Sequence, residues 1–166
     1  MNNLKNTAGL SELTVRQLFE GLSADAMRDL ETIKVQEKYP SGSLLFKAGE
    51  DPTGIFVMIS GQACLSVTGA KGRRMVVRSV GAGGVLGLSA AVSGEPYGVT
   101  AEIVTPSEVA FIHRGEFLRF LQDHIDACYR AVQWLSNDLD LAYAKVRSLH
   151  EGRLRPTNHS DPTGCR

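Results

Sequence analysis

A glycine-rich stretch near the middle of the chain has the composition of an anion site. Five glycines fall between positions 81 and 94, and glycine allows positive φ angles and a close approach of the backbone to a ligand. Residues 89–93 are long enough for one or two helical turns before Gly94 and Pro96 end them. The start of such a helix points unpaired N–H groups outward and favours a phosphate. The alternative is a tight connection between two strands that binds nothing.

Two enzyme-like patterns overlap this stretch. Residues 87–91 nearly match the G-x-S-x-G nucleophile elbow, with Ser89 as the nucleophile and His113 as the candidate base, and residues 82–87 match A-x-G-x-x-G, a pattern close to a dinucleotide-binding fingerprint. Both motifs need a parallel strand that leads into a full-length helix. The helix expected here ends after little more than one turn. We therefore expect no catalytic residue, and a hydrolase that uses Ser89 is the alternative.

The cysteines and histidines do not form a pattern that would bind a metal. Cys64, Cys128 and Cys165 are odd in number, far apart and without a C-x-x-C spacing. Buried apolar thiols are therefore favoured over a disulfide, a zinc site or an iron–sulfur cluster. The four histidines have no spacing that would place two of them on one helical face. We expect no metal, no haem and no other cofactor.

The composition is that of one soluble domain. The chain has 166 residues, 43% of them hydrophobic, and 18 basic residues balance 18 acidic ones. A net charge of zero gives no bulk attraction to nucleic acid or to an acidic membrane. No apolar run reaches membrane-spanning length, and the first seven residues do not resemble a signal peptide. We expect a cytoplasmic protein that makes no contact with a membrane.

The elements around the glycine-rich stretch are two N-terminal helices and a run of short strands. Ser11 begins the first helical region, and Ser23 has the position of an N-cap for the second. Strands are predicted at 34–39, 44–46, 54–60, 63–67, 75–80, 97–104 and 107–113, with Gly61 and Pro106 as breaks between neighbours. A short helix follows from Gly115. About eight short antiparallel strands are typical of a sandwich, a barrel or a β-roll.

The last predicted element is a long helix with a regular apolar seam. The seam residues are spaced alternately by four and three, as in a heptad repeat: Cys128, Val132, Leu135, Leu139, Ala142, Val146 and Leu149. The seam could pack against the chain's own β-core or against a second copy in a parallel dimer. Trp134, Leu141 and Tyr143 lie off the seam and give the helix a second apolar face. Because two faces can serve both contacts, we favour a homodimer.

The order of these elements and five short stretches carry a resemblance to a known family. The stretches are LFEGLS at 18–23, GSLLFKAGE at 42–50, FVMISGQA at 56–63, GVLG at 84–87 and SEVAFI at 107–112. From about residue 18 to 149 the chain resembles the sensory domain of the Crp/Fnr superfamily, a cyclic-nucleotide-binding β-roll. The resemblance implies an α+β, jelly-roll-like fold. Its parts would be an N-terminal tail at 1–10, the β-roll with flanking helices at 11–123, a dimerisation helix at 124–150 and a disordered tail at 151–166.

The resemblance also locates a ligand pocket, and the chain departs from the family there. Cyclic-nucleotide binders carry a glutamate after the glycine, which binds the ribose, and an arginine at the start of the next strand, which binds the phosphate. Leu88 occupies the first position, and Tyr97 or Gly98 the second. Without a charge-assisted contact the site loses on the order of 1.5–3 kcal/mol. The degenerate pocket is expected at Gly87, Leu88, Ser89, Ala90, Tyr97, Gly98 and Val99.

The expected function is therefore that of a regulatory module without catalysis. The chain is interpreted as the sensory and dimerisation domain of a Crp/Fnr-type transcriptional regulator, with an unknown effector or none. Members of this family continue into a winged helix-turn-helix that binds DNA, and no such domain is expected in these residues. We expect Leu88, Tyr97, Val99 and off-seam residues of the long helix to fill the pocket. A module that still binds a cyclic nucleotide or another small effector is the alternative.

Overall fold

The computed structural model describes residues 21–152, except for the side chains at positions 145, 150 and 152. The predicted N-terminal tail, the first helical region from Ser11 and the tail beyond residue 152 lie outside the described residues. The described residues contain four helices. They are α1 (Ala24–Ile33), α2 (Leu88–Ser93), α3 (Arg114–Asp123) and α4 (Ile125–Gly152). No helix in this part of the chain is long and apolar enough to cross a membrane.

The predicted N-cap of α1 is confirmed. The Ser23 hydroxyl accepts a hydrogen bond from the Ala26 N–H at 3.1 Å, which satisfies one of the unpaired donors of the first turn. The long helix is also confirmed, with a shift of one or two residues at each end. It continues through Glu151 to Gly152, two residues beyond its predicted end.

Six strands form one antiparallel sheet in the described part of the chain. They are β1 (Lys34–Tyr39), β2 (Leu44–Phe46), β3 (Gly54–Thr68), β4 (Arg74–Val80), β5 (Val85–Leu86) and β6 (Thr100–His113). The order is β1–β6–β3–β4, with β2 also paired to β6 and β5 to β3. The predicted fold class, an antiparallel β-roll with a long C-terminal helix, is confirmed.

The strands are fewer and longer than the sequence indicated, because two expected breaks are irregularities inside continuous strands. Gly61 lies within β3 and Pro106 within β6, and the pairing of the two strands shifts in register around Gly61. Gly61 has φ +83°, and a Cβ there would lie 2.0 Å from the Ser107 Oγ. The position therefore requires glycine for its backbone angle and for the close approach of the facing strand.

Alternating residues of the two long strands separate two apolar clusters. Ile55 and Val57 of β3 face a cluster shared with the helices, here the helix-side cluster, whereas Phe56 and Met58 face the roll-interior cluster. The same alternation in β6 places Ile112 in the helix-side cluster and its neighbour Phe111 against the roll-interior cluster. This follows from the two-residue period of a β-strand, which sends successive side chains to opposite faces. The sheet therefore has an apolar core on each side, and the glycine-rich stretch contributes buried residues to both.

Helix α4 packs against the roll only over its first half. Ala127 and Ala131 are buried in the helix-side cluster, and Trp134 and Leu135 pack against that cluster. Beyond Asp138 the apolar residues are at least partly exposed, among them Leu139, Leu141, Tyr143, Val146 and Leu149. Among the off-seam residues, Trp134 thus packs on the helix side of the sheet, in the cluster that contains Leu88, whereas Leu141 and Tyr143 are exposed. That off-seam residues fill the pocket stays a prediction.

Candidate functional site

The glycine-rich stretch forms a compact cassette, defined here as residues 87–99. Gly87 and Gly94 cap the two ends of α2, with φ +81° and +79°. A Cβ at Gly87 would lie 3.0 Å from the Tyr97 ring and 3.2 Å from the Gly54 carbonyl oxygen. Gly87 therefore serves two purposes: it adopts the left-handed conformation that starts the helix, and it leaves room for Tyr97. The predicted short helix between Gly87 and Gly94 is confirmed.

Tyr97 fixes the far end of the cassette. Its side chain is only 3% exposed, and its ring stacks on Phe46 with centroids 4.0 Å apart. The phenol oxygen accepts a hydrogen bond from the Thr53 N–H at 3.0 Å and donates to the Gly54 carbonyl oxygen at 3.0 Å. Because a buried hydroxyl must be hydrogen-bonded to avoid a desolvation cost, these contacts stabilise the ring where it lies.

The backbone of Tyr97 is bound to the same neighbouring turn. Its N–H donates to the Glu50 carbonyl oxygen at 2.9 Å, and its carbonyl oxygen accepts from the Gly49 N–H at 2.8 Å. Backbone and side chain together thus join Tyr97 to residues 49–54, more than forty positions earlier in the chain. No local pattern predicts this pairing, because none of the partners is near Tyr97 in sequence.

The other predicted pocket residues do not all share one environment. Leu88 is buried in the helix-side cluster, while Ala90 and Tyr97 are buried in the roll-interior cluster, with Val99 packed against it. Ser89 and Gly98 are exposed. The cassette therefore has a buried residue in each core, and its exposed groups lie at the surface between them.

Arg114 holds the C-terminal end of α2, a role that sequence reasoning missed. Its Nε donates to the Ala91 carbonyl oxygen at 2.9 Å, one of the carbonyls left unpaired at a helix end. Its own backbone N–H donates to the Thr53 carbonyl oxygen at 2.8 Å. Arg114 therefore connects the cassette to the start of α3 and to the turn that binds Tyr97.

Two arginines of β4 are engaged with carboxylates. Arg74 Nη2 lies 3.1 Å from Glu102 Oε2, and Arg78 Nη1 lies 2.7 Å from Asp138 Oδ1. The first pair joins β4 to β6, and the second joins β4 to α4. Together with the Arg114 contact to Ala91, three arginines around the roll bind acceptors of the chain itself.

The geometry does not support the hydrolase alternative. Ser89 and His113 are not hydrogen-bonded to each other in the described part of the chain, and the His113 Nδ1 accepts from the Gly115 N–H at 3.3 Å as the N-cap of α3. All strand pairs among the described residues are antiparallel, whereas an elbow needs a parallel strand before its helix. Helix α2 has six residues. The dinucleotide pattern lacks the same elements.

The described cysteines differ from each other. Cys64 is buried, as expected, but Cys128 is exposed, so the prediction of a buried thiol is wrong there. Cys128 lies on the outer side of α4, next to the buried alanines rather than among them. Cys165 lies outside the described residues. No cluster of three or more metal-ligating side chains occurs in the described range.

Two polar contacts position the start of α4. The Ser23 N–H donates to Asp126 Oδ2 at 2.9 Å, and the His124 Nε2 lies 2.7 Å from Asp29 Oδ2. The hydrogen bond from Ser23 is the main reason that the pKa of Asp126 lies below its usual value, because it stabilises the ionised carboxylate. Both contacts connect α1 to the beginning of the long helix.

The comparisons with known proteins assign this architecture to a family. The family model for the cyclic nucleotide-binding domain matches residues 36–124, more than half of the chain. This chain belongs to the cyclic nucleotide-binding domain family. The match begins within β1 and continues through β6, the whole cassette and α3, and it ends before α4. The β-roll and its pocket region are therefore what the family shares. No curated protein matches the chain in sequence.

Solved structures of regulators share the fold of this cyclic nucleotide-binding domain. The catabolite activator protein of Thermus thermophilus matches with a TM-score of 0.71 and 20% identity, over 80% of this chain and 62% of that one. The sensor domain of the transcriptional regulator DNR from Pseudomonas aeruginosa matches with 0.65 and 21%, over 76% and 91%. The c-di-GMP-responsive regulator CLP of Xanthomonas campestris matches with 0.64 and 20%, over 84% and 77%. The chain thus spans less than two thirds of the Thermus protein.

Proposed function

We propose that this cyclic nucleotide-binding domain is the non-catalytic sensory and dimerisation part of a Crp/Fnr-type transcriptional regulator, with a pocket that its own side chains fill. The observation that carries the proposal is Tyr97. At one of the two positions where the resemblance places an arginine, Tyr97 or Gly98, the chain has a buried phenol that is hydrogen-bonded to Thr53 and Gly54. A ligand phosphate at this place would have to displace a ring that is stacked on Phe46.

The charges around the roll support a pocket of low affinity for an anion. Arg74, Arg78 and Arg114 each bind an oxygen of the chain itself, and no lysine or arginine lies between positions 78 and 114. Leu88, at the position of the ribose-binding glutamate, is buried among apolar residues. A cyclic nucleotide would therefore gain neither of the charge-assisted contacts that fix it in binders of the family.

The exposed apolar residues of α4 support the dimerisation role. Val132, Leu139 and Val146 are each more than half exposed, at the spacing of a heptad seam. An exposed apolar stripe of this length is a characteristic interaction surface. A second copy of the chain presents the same stripe, so a parallel homodimer through α4 buries both.

Calorimetric titration tests the proposed pocket. Cyclic AMP, cyclic GMP and cyclic di-GMP, each titrated into the full chain, should bind no more tightly than a Kd of roughly 100 μM, about −5.5 kcal/mol. The missing ribose and phosphate partners at Leu88 and Tyr97 are the physical reason. A dissociation constant in the micromolar range for any of the three would contradict the proposal.

A domain that still binds a small effector is the second candidate. It is favoured by the family match itself and by the similarity in fold to the CLP regulator, which responds to c-di-GMP. The same titration distinguishes the two candidates. Saturable micromolar binding of one nucleotide would support this second function.

A further inference from the structure

The ion pair between Arg78 and Asp138 leaves one acceptor unused. It joins β4 to α4 through Arg78 Nη1 and Asp138 Oδ1, 2.7 Å apart, with side chains 30% and 36% exposed. The second carboxylate oxygen of Asp138 accepts no hydrogen bond from any residue in the described part of the chain. Asp138 therefore anchors the helix to the roll and still presents an oxygen toward solvent.

The heptad positions place Asp138 beside the seam. With Val132, Leu139 and Val146 at position a, and Cys128, Leu135, Ala142 and Leu149 at position d, Asp138 takes position g. Valine at a with leucine at d favours two parallel strands. The small side chain of Ala142 at d allows two such helices to approach closely at that level.

Tyr143 takes position e, on the opposite side of the seam from the chain's own roll. It is 59% exposed, and its phenol forms no hydrogen bond within the described residues. Five residues separate it from Asp138, which is about 140° around the helix, so the two side chains of one helix lie on different faces. In a parallel pair, however, position g of one helix lies beside position e of the next heptad on the other helix.

We infer that a second copy of this chain completes the Arg78–Asp138 pair: Tyr143 of the partner subunit donates its phenol O–H to the second carboxylate oxygen of Asp138. The inference rests on the proposed parallel dimer. By the two-fold symmetry the contact forms twice, once on each side of the seam. Arg78 of the roll, Asp138 of its helix and the partner's Tyr143 then form one chain of hydrogen bonds. The position of the roll on α4 and the pairing of the two helices thereby become linked.

Sedimentation equilibrium of the full chain tests this contact. Tyr143→Phe removes only the hydroxyl and should raise the dimer Kd about tenfold, since two partly exposed contacts, each worth roughly threefold in Kd, are lost together. In an Asp138→Ala background, which has no side-chain acceptor, the same substitution should have a much smaller effect, because the two residues act as a pair. Tyr129→Phe is the matched control. Tyr129 also takes position e, but its facing g position, 124, precedes the start of α4.

The outcomes separate this inference from the dimer on which it rests. A dimeric wild type with a Tyr143→Phe effect that depends on Asp138 supports the contact. A dimeric wild type in which Tyr143→Phe and Tyr129→Phe behave alike, or in which the Tyr143 and Asp138 effects simply add, overturns the contact and leaves the dimer intact. A monomeric wild type at high concentration overturns both.

Discussion

The cassette and the outer half of α4 differ in burial and in hydrogen bonding to the rest of the chain. In the cassette, Tyr97 is 3% exposed and its phenol and backbone are all bound to residues 49–54. On the outer helix, Leu139 is 52% exposed and the Tyr143 phenol has no partner among the described residues. These contacts of Tyr97 support the proposal that the pocket is filled by the chain's own side chains. A region in which apolar and polar groups are both exposed to solvent is suited to binding a second molecule.

In a sensor that a ligand activates we would expect the opposite for the pocket. In such a protein the pocket is open and the ligand shifts the equilibrium between two arrangements of the helices. In the proposed function the pocket residues supply the contacts themselves, and the Arg78–Asp138 ion pair joins β4 to α4. We therefore expect one arrangement of α4 to predominate without any effector.

The largest expected effect comes from charging the cassette. Leu88→Glu combined with Tyr97→Arg would bury two charges in place of apolar groups, in two different clusters where they cannot pair. We expect the melting temperature to fall by about 10 °C or more, as measured by circular dichroism.

The same two charges at exposed positions of the cassette provide the control. Ser89→Glu with Gly98→Arg should leave the melting temperature nearly unchanged, since both positions face solvent and a Cβ at Gly98 meets no atom within 4 Å. If the buried pair of substitutions gave nucleotide binding with an unchanged melting temperature, the cavity would be open and the proposed contrast would be lost.

A carboxylate on the seam should give the next largest effect. Leu139→Asp would place two facing carboxylates in the dimer interface, where they repel each other and lose water. The dimer Kd should rise on the order of a hundredfold. Sedimentation equilibrium measures this. Leu135→Asp should also dissociate the dimer, but because Leu135 packs on the helix-side cluster it should destabilise the roll as well.

Leu141→Asp is the matched control for the seam. Leu141 is 52% exposed, the same as Leu139, and lies two positions away on the other face of the helix. Its substitution should leave the dimer Kd within about twofold of the wild type. Equal effects of the two substitutions would show that the seam is not the interface.

The smallest expected effect lies at the junction of α1 and α4. The pKa of Asp126 is lowered in the folded chain, chiefly by the hydrogen bond from the Ser23 N–H. A lowered pKa adds stability above the unfolded value of 3.8, and this is lost as the pH falls through the folded value. Asp126→Asn should therefore lower the melting temperature by about 2 °C at pH 7, with the difference vanishing in acid.

Asp140→Asn serves as the control for this pH dependence. Asp140 lies exposed on the same helix and takes part in no hydrogen bond or ion pair within the described part of the chain. Its substitution should give melting temperatures that follow the wild type at each pH. If the Asp126→Asn difference persisted below pH 3, the Ser23 contact would not be its source.

Local signals predicted the elements well, because their causes are local. The N-cap at Ser23, the turn between β1 and β2 and the short helix between Gly87 and Gly94 depend on residues within a few positions of one another. Gly61 and Pro106 led to too many predicted strands, because they too were interpreted from the local sequence. Each is a breaker when taken alone, but in the fold they face each other across two paired strands that continue on both sides.

The contacts that define the site were beyond local signals. Tyr97 binds Thr53, Arg114 binds Ala91 and Arg78 binds Asp138, at separations of 44, 23 and 60 residues. The inner face of α4 was missed for a different reason. Its buried residues are alanines, which are less prominent than the larger apolar residues of the seam. A search for small residues spaced by four could have found Ala127 and Ala131.

The sheet order has a consequence for how copies of this domain meet. β1 and β4 lie at the two ends of the strand order, and open strand edges invite pairing with a second sheet. Both ends carry charge: Lys38 on β1, and Arg74 and Arg78 on β4. Charged side chains on edge strands discourage such joining. Edge-to-edge aggregation of the rolls is thereby disfavoured, and the proposed dimer makes its contact through the helix instead.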